Sequence, residues 1–133
     1  LTKRNYDFVL VNFANADMVG HTGNLKAGIR AVEVIDEQLG EIAKKFPESD
    51  ILITADHGNA EEMIDKNGEI NTNHSLAPVP LILIGKDFKK LKPDDTAPPP
   101  SGILADIAPT ILHLLDIQKP PEMIGDDLTN SLV

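Results

Sequence analysis

The stretch Thr54-Ala55-Asp56-His57-Gly58-Asn59-Ala60-Glu61 closes the apolar run Ile51-Leu52-Ile53 with a carboxylate and an imidazole side by side, and a glycine behind them. In open α/β sheets, ligands sit outside the carboxyl ends of the strands, so a polar pair at that place marks a candidate site. Two other segments echo it. Asn12-Phe13-Ala14-Asn15-Ala16-Asp17-Met18-Val19-Gly20-His21 follows the apolar run Phe8-Val9-Leu10-Val11, and Asn71-Thr72-Asn73-His74-Ser75 precedes Leu81-Ile82-Leu83-Ile84. Of the 4 histidines in the chain, all but His113 fall in these segments. The expectation is that they converge on metal ions.

Working outward from that stretch, the periodicity predicts alternating strands and helices. Residues 6–13 read as a strand whose continuous apolar run suits cover on both faces. A polar loop is expected over 15–24. The clearest helix follows, with Leu25, Ile29, Val32, Ile35, Leu39, Ile42 and Phe46 forming one apolar stripe. Asn24 can cap its start and Pro47 cannot continue it, while Gly28 and Gly40 offer close packing against the sheet. Residues 50–55 make the second strand. Asp65-Lys66-Asn67-Gly68-Glu69 carries Asn-Gly, the strongest short hairpin signal, which predicts a small hairpin between His57 and His74. Residues 78–85 make a third buried strand, entered through prolines. A charged, proline-rich surface excursion is expected over 89–100. A final helix is expected over 107–116 with Asp106 as N-cap, and a tail from Pro120 onward. The fold class is therefore α/β, a layered and largely parallel sheet flanked by helices. Three main strands make a thin sheet, which points to a piece of something longer. Its unpaired edge favours dimers or strand exchange.

Composition narrows the function. The chain has 133 residues, room for one domain, and its apolar fraction of 41% is that of a globular protein. Aromatic residues are scarce and Trp is absent, so the core is aliphatic. Against 12 basic residues stand 21 acidic ones, a net charge of −9. That balance argues against nucleic acid and against an anionic membrane surface as partners, since both need a positive footprint. The arginines are Arg4 and Arg30, both outside the three polar segments. A phosphorylated substrate would thus need metals, or residues elsewhere, for its counter-charge. The lack of cysteine excludes disulfides and thiolate metal sites and fits a reducing cytoplasm. No apolar run is long enough to span a bilayer.

Asp17 and His21 are four apart, so one helical turn would aim both at one point. Neutral imidazole with carboxylate suits Mn, Zn, Fe or Co, and the missing thiolates favour the harder of these. Asp56 and His57 are adjacent, and strand neighbours point to opposite faces. They serve one ion only if the strand has already ended; otherwise they serve two. Two ions a few ångströms apart form a clamp for displacement at phosphorus. Each of these residues also has a bland role: loop histidines cap turns, and strand-end aspartates do the same. His113, beside core positions of the last helix, reads as structural. Ser75, next to His74, reads as an ordinary turn serine more readily than as a nucleophile.

At these residues the chain resembles the cofactor-independent phosphoglycerate mutases, of the alkaline phosphatase superfamily. The resemblance is carried by residues 12–23, by 54–61, by Thr72-Asn73-His74-Ser75 with Val79-Pro80, and by Leu104-Ala105-Asp106-Ile107-Ala108-Pro109-Thr110 and Pro121-Glu122-Met123-Ile124-Gly125. It covers nearly the whole chain in order. It implies an alkaline phosphatase-like fold and the glycolytic interconversion of 3-phosphoglycerate and 2-phosphoglycerate with two Mn²⁺ ions. Asp17, His21 and His74 would hold one ion, and Asp56 with His57 would contribute to the other. In that family an aspartate and a nucleophilic serine near the N-terminus complete the second ion's shell, and neither motif is in this sequence. The chain is therefore expected to be the C-terminal segment of the phosphatase-type domain. It would be inactive alone, needing the missing N-terminal part of the same chain, with the Asp17, His21 and His74 site the better occupied. The other readings are a phosphopentomutase or metal-dependent phosphatase of the same superfamily, and a non-catalytic metal-binding or interaction module.

Overall fold

A computed structural model describes residues 6–86, 88 and 102–132. The excursion expected over 89–100 lies outside the described residues. The chain divides into two compact units, Leu1–Pro47 with Ile53–Leu81, and Glu48–Leu52 with Ile82–Val133.

The first unit begins with a departure from expectation. Residues 6–13 form no strand, and Leu10 is 82% exposed. A strand exists through its ladder, and among the described residues nothing pairs with this run. The expected loop is instead helix α1 (Asn15–Gly20), with Asp17 in its first turn, where a carboxylate is favoured by the helix dipole. The chain then turns at Gly23, whose φ of +67° a side chain would strain, as its N–H bonds the Gly20 carbonyl at 3.1 Å.

Helix α2 (Leu25–Lys45) forms as its periodicity predicts. Asn24 caps it, its side chain accepting from the Ala27 N–H at 3.1 Å. The most buried line of this helix is Gly28 and Ala31, whereas Leu25, Ile29 and Val32 of the expected stripe stay largely exposed. The reason is Met63, 2% exposed, whose sulfur lies against Gly28; a Cβ there would meet Sδ at 2.6 Å. Gly40 faces open space, so it packs against nothing. Arg30 is spent on the helix surface, bonded to Glu33 at 3.0 Å and Glu37 at 3.2 Å.

The hairpin forms as the Asn-Gly pair predicts. The Asp65 carboxylate accepts from the Asn67 and Glu69 N–H groups at 2.8 and 2.9 Å, and Gly68 takes a φ of +82°. The arms meet in two isolated antiparallel bridges, Ile64 with Ile70 and Gly58 with Ser75. A short 3-10 turn, Ala60–Glu62, lies between the His57 loop and Met63.

Two strands, β1 (Ile51–Thr54) and β2 (Leu81–Ile84), pair in a two-stranded sheet, shorter than the ranges 50–55 and 78–85 expected. Along β2 exposure alternates, leaving Ile82 and Ile84 on a bare face, so this strand is not covered on both sides. Among the described residues the structure thus mixes helix with a small sheet.

In the second unit helix α3 (Ile107–Leu114) is entered through a 3-10 turn, Leu104–Asp106. Asp106 does not cap α3 as expected. Its carboxylate turns back to accept from the Ile103 N–H at 2.7 Å and reaches the Asp126 N–H at 2.9 Å. Both hold the carboxyl below its usual range, against the opposing effect of burial. Thr110, fully buried, donates to the Asp106 carbonyl at 2.7 Å and accepts from the Leu128 N–H at 3.0 Å. Residues expected as a tail are therefore packed. His113, its side chain largely exposed, pairs with Asp127 at 3.0 Å in this unit.

Candidate metal centre

Three segments of the first unit bring their polar side chains together. The α1 turn aims Asp17 and His21 the same way, with His21 Nε2 lying 3.2 Å from Asp17 Oδ1. The hairpin supplies the third, His74, with Nε2 3.2 Å from the same oxygen and 3.1 Å from His21 Nε2. Asp17 Oδ1 and the two imidazole nitrogens therefore make a nearly equilateral triangle.

Its chemistry follows from the hydrogen bond behind it. His21 Nδ1–H donates to the Thr72 carbonyl at 2.6 Å, which in a neutral imidazole leaves Nε2 a bare lone pair. That lone pair faces a carboxylate oxygen and a second imidazole nitrogen. Three possible ligand atoms thus meet at one point. Such a set calls for a cation. Octahedral ligands at about 2.0–2.2 Å from an ion are roughly 2.8–3.1 Å apart, and tetrahedral ones roughly 3.3–3.6 Å. The observed spacings of 3.1 and 3.2 Å fall between the top of the first range and the bottom of the second, so these residues fit a divalent ion.

His57 stands beside the triangle. Its ring stacks on His74, centroids 3.7 Å apart and planes at 20°. The antiparallel Gly58–Ser75 bridge is consistent with this, because it turns His57 and His74 to the same face as diagonal neighbours. His57 Nε2 faces two carboxylates, Asp17 Oδ1 at 4.0 Å and Asp56 Oδ1 at 3.7 Å. Asp56 itself is almost fully exposed, with 91% of its side chain open to solvent. The structure thus gathers Asp17, His21 and His74 tightly, sets His57 at their margin, and leaves Asp56 outward.

Around the site lie residues to which sequence reasoning gave no role. The Glu61 carboxylate accepts from the Asn59 N–H at 3.0 Å and from the Ser75 hydroxyl. Burial pushes its carboxyl up, but the Ser75 hydroxyl, backbone amides and nearby His57 outweigh this and hold it below its usual range. Ser75 is thereby committed to Glu61, and it also accepts from the Ala77 N–H at 3.2 Å. Among the described residues, both side-chain polar atoms of Asn59, 6% exposed, are buried without a partner, as is His57 Nδ1. Leaving a buried amide unpaired costs about 1–3 kcal/mol. The available signal was position alone, since both Asn59 and Glu61 directly follow the Asp-His-Gly stretch.

Comparison with known proteins bears on the same residues. The metalloenzyme superfamily model matches residues 1–119, which include all three ligand-bearing segments. The chain belongs to the metalloenzyme superfamily. Within this superfamily it is similar to enzymes named 2,3-bisphosphoglycerate-independent phosphoglycerate mutase. It is 49% identical to that of Ruthia magnifica over 96% of this chain and 25% of the relative. Against the enzyme of Clostridioides difficile the figures are 46%, 96% and 25%. Against that of Mesomycoplasma hyopneumoniae they are 53%, 94% and 23%. The chain spans about a quarter of the length of these curated relatives. Among the described residues, no helix is long and apolar enough to cross a membrane.

Proposed function

We propose that the chain is the C-terminal, metal-binding part of a cytoplasmic phosphoglycerate mutase that interconverts 3-phosphoglycerate and 2-phosphoglycerate in glycolysis. The observation that carries this reading is the Asp17, His21 and His74 triangle, found in a metalloenzyme superfamily chain similar to enzymes of that name. Asp17, His21 and His74 would hold one Mn²⁺, and His57 with Asp56 would contribute to a second. The ions, when bound, neutralise charge on the transferring phosphoryl group and lower the pKa of an attacking hydroxyl.

The chain's own residues do three things. Asp17 supplies the negative charge that makes the cluster selective for a cation. His21 is locked in the tautomer that presents Nε2 by its bond to Thr72, an orienting contact of the kind that fixes metal ligands. His57 stacks on His74 and packs one face of that ring. The nucleophile is a serine in the remainder of the protein, which forms a phosphoserine and returns the group to the other hydroxyl of glycerate. Ser75 is not that residue, being engaged by Glu61.

The remainder of the protein also completes the fold. Phe8, Leu10, Ile29 and Ile82 are exposed here, and the proposal is that its N-terminal part covers them within a layered, largely parallel sheet. By itself the chain would be inactive and would self-associate through these surfaces. The test is a substrate panel on the full-length protein, comparing 3-phosphoglycerate with a pentose phosphate, before and after chelation. Activity on 3-phosphoglycerate that chelation abolishes and Mn²⁺ restores supports the reading. Turnover of the pentose phosphate alone, or chelator-resistant turnover, refutes it.

A further inference from the structure

We propose that the turn at residues 59–61 is a clamp that sets the spacing of the metal ligands, with Glu61 as its positioning residue. This inference rests on the metal-centre reading above and assigns what holds that centre in shape. The ligands come from three segments that share no regular element, so something must fix their separations to within a few tenths of an ångström.

Each segment is gripped by this turn. Toward α1, Asn59 Oδ1 occupies the space that a side chain on Gly20 would fill, one residue before His21. Among the described residues neither polar atom of that amide has a partner, and what the structure shows beside it on α1 is the bare backbone of Gly20. Toward the His57 loop, the Glu61 carboxylate accepts from the Asn59 N–H at 3.0 Å, closing the loop on itself. Toward the hairpin arm, the other carboxylate oxygen accepts a hydrogen bond from the hydroxyl of Ser75, the neighbour of His74. Ser75 N–H in turn bonds the Gly58 carbonyl at 2.8 Å. A Cβ on Gly58 would collide with Ser75 Oγ and Glu61 Oε1, so the clamp closes only over a glycine. The lowered pKa of Glu61 keeps its carboxylate ionised and able to accept both bonds.

The pattern is that of an outer-shell partner, which touches no metal yet orients groups that do. Its loss should be read in metal affinity. In the full-length protein, Mn²⁺ binding is measured by calorimetric titration for wild type, Glu61→Ala, Ser75→Ala and the double variant, with thermal melts of the metal-free proteins beside them. Expected is a loss of about 10–100-fold in affinity for Glu61→Ala. Ser75→Ala should lose less, and the double variant no more than Glu61→Ala, because the two groups act as one unit. Glu61→Gln keeps an oxygen acceptor and should recover part of the affinity, which also covers the case of a Glu61→Ala protein that does not fold. Wild-type affinity in Glu61→Ala, or in Glu61→Gln where Glu61→Ala does not fold, would overturn the clamp alone, as would fully additive losses in the double variant. Wild-type protein that takes up no Mn²⁺ would remove the centre and the clamp together.

Discussion

His21 Nε2 and His74 Nε2 lie 3.1 Å apart although 53 positions separate them in the chain. Two imidazole nitrogens at that distance repel unless a proton or a cation sits between them, and Asp17 Oδ1 closes the third side at 3.2 Å from each. The structure thus brings together a candidate cation site from a short helix and a hairpin arm.

The first expected outcome concerns these ligands. Replacing His21 or His74 by Ala, or Asp17 by Asn, should lower divalent-metal affinity by more than the roughly 10–100-fold expected for an orienting residue. Asp56→Ala should leave this tighter site within a few-fold of wild type, because Asp56 faces outward with its nearest imidazole 3.7 Å away. Titration calorimetry with Mn²⁺ measures both.

A second outcome tests the polar core of the second unit. Thr110 is fully buried with its hydroxyl both donating and accepting. Thr110→Val keeps the shape but orphans the Leu128 N–H, and should destabilise by about 1–3 kcal/mol. Thr110→Ser should cost less, and urea unfolding of the two variants separates them.

A third outcome concerns close backbone approach. A Cβ on Gly125 would collide with the backbone carbonyl of Ala105, so the backbone itself would have to shift. Gly125→Ala should destabilise by about 1–3 kcal/mol, detectable as a lowered urea midpoint.

A fourth outcome is a pH dependence. The Ile103 and Asp126 N–H groups hold the Asp106 carboxyl below its ordinary value near 3.8. A depressed folded value means the stabilisation is complete above the ordinary value and fades as pH falls through the folded one. The stability gap between wild type and Asp106→Asn should therefore be constant near neutrality and shrink in acid, as followed by urea unfolding across pH.

How much of this was legible in the sequence depended on whether the signal was local. Helix α2, its Asn24 cap and the Asn67-Gly68 hairpin are written in neighbouring residues and formed as read. The failures were non-local. Phe8-Val9-Leu10-Val11 has the composition of a strand, but a strand also needs a partner, and none is among the described residues. Leu25, Ile29 and Val32 have the right spacing for a core, yet Met63 selects the Gly28 and Ala31 line instead. At the site, the residue types pointed to a cation, and Asp17 with His21 followed from a four-residue spacing. That Glu61 holds Ser75, and that Asn59 backs on Gly20, depends on contacts no spacing rule reaches.

The most direct test of the central claim is crystallographic. Crystals of the full-length protein loaded with Mn²⁺ are measured at the manganese absorption edge, and an anomalous difference map is calculated. Expected is a strong peak bounded by His21 Nε2, His74 Nε2 and an Asp17 carboxylate oxygen, at ligand distances of about 2.0–2.2 Å. A fully occupied peak elsewhere, with these three side chains bonded only to one another, would contradict it.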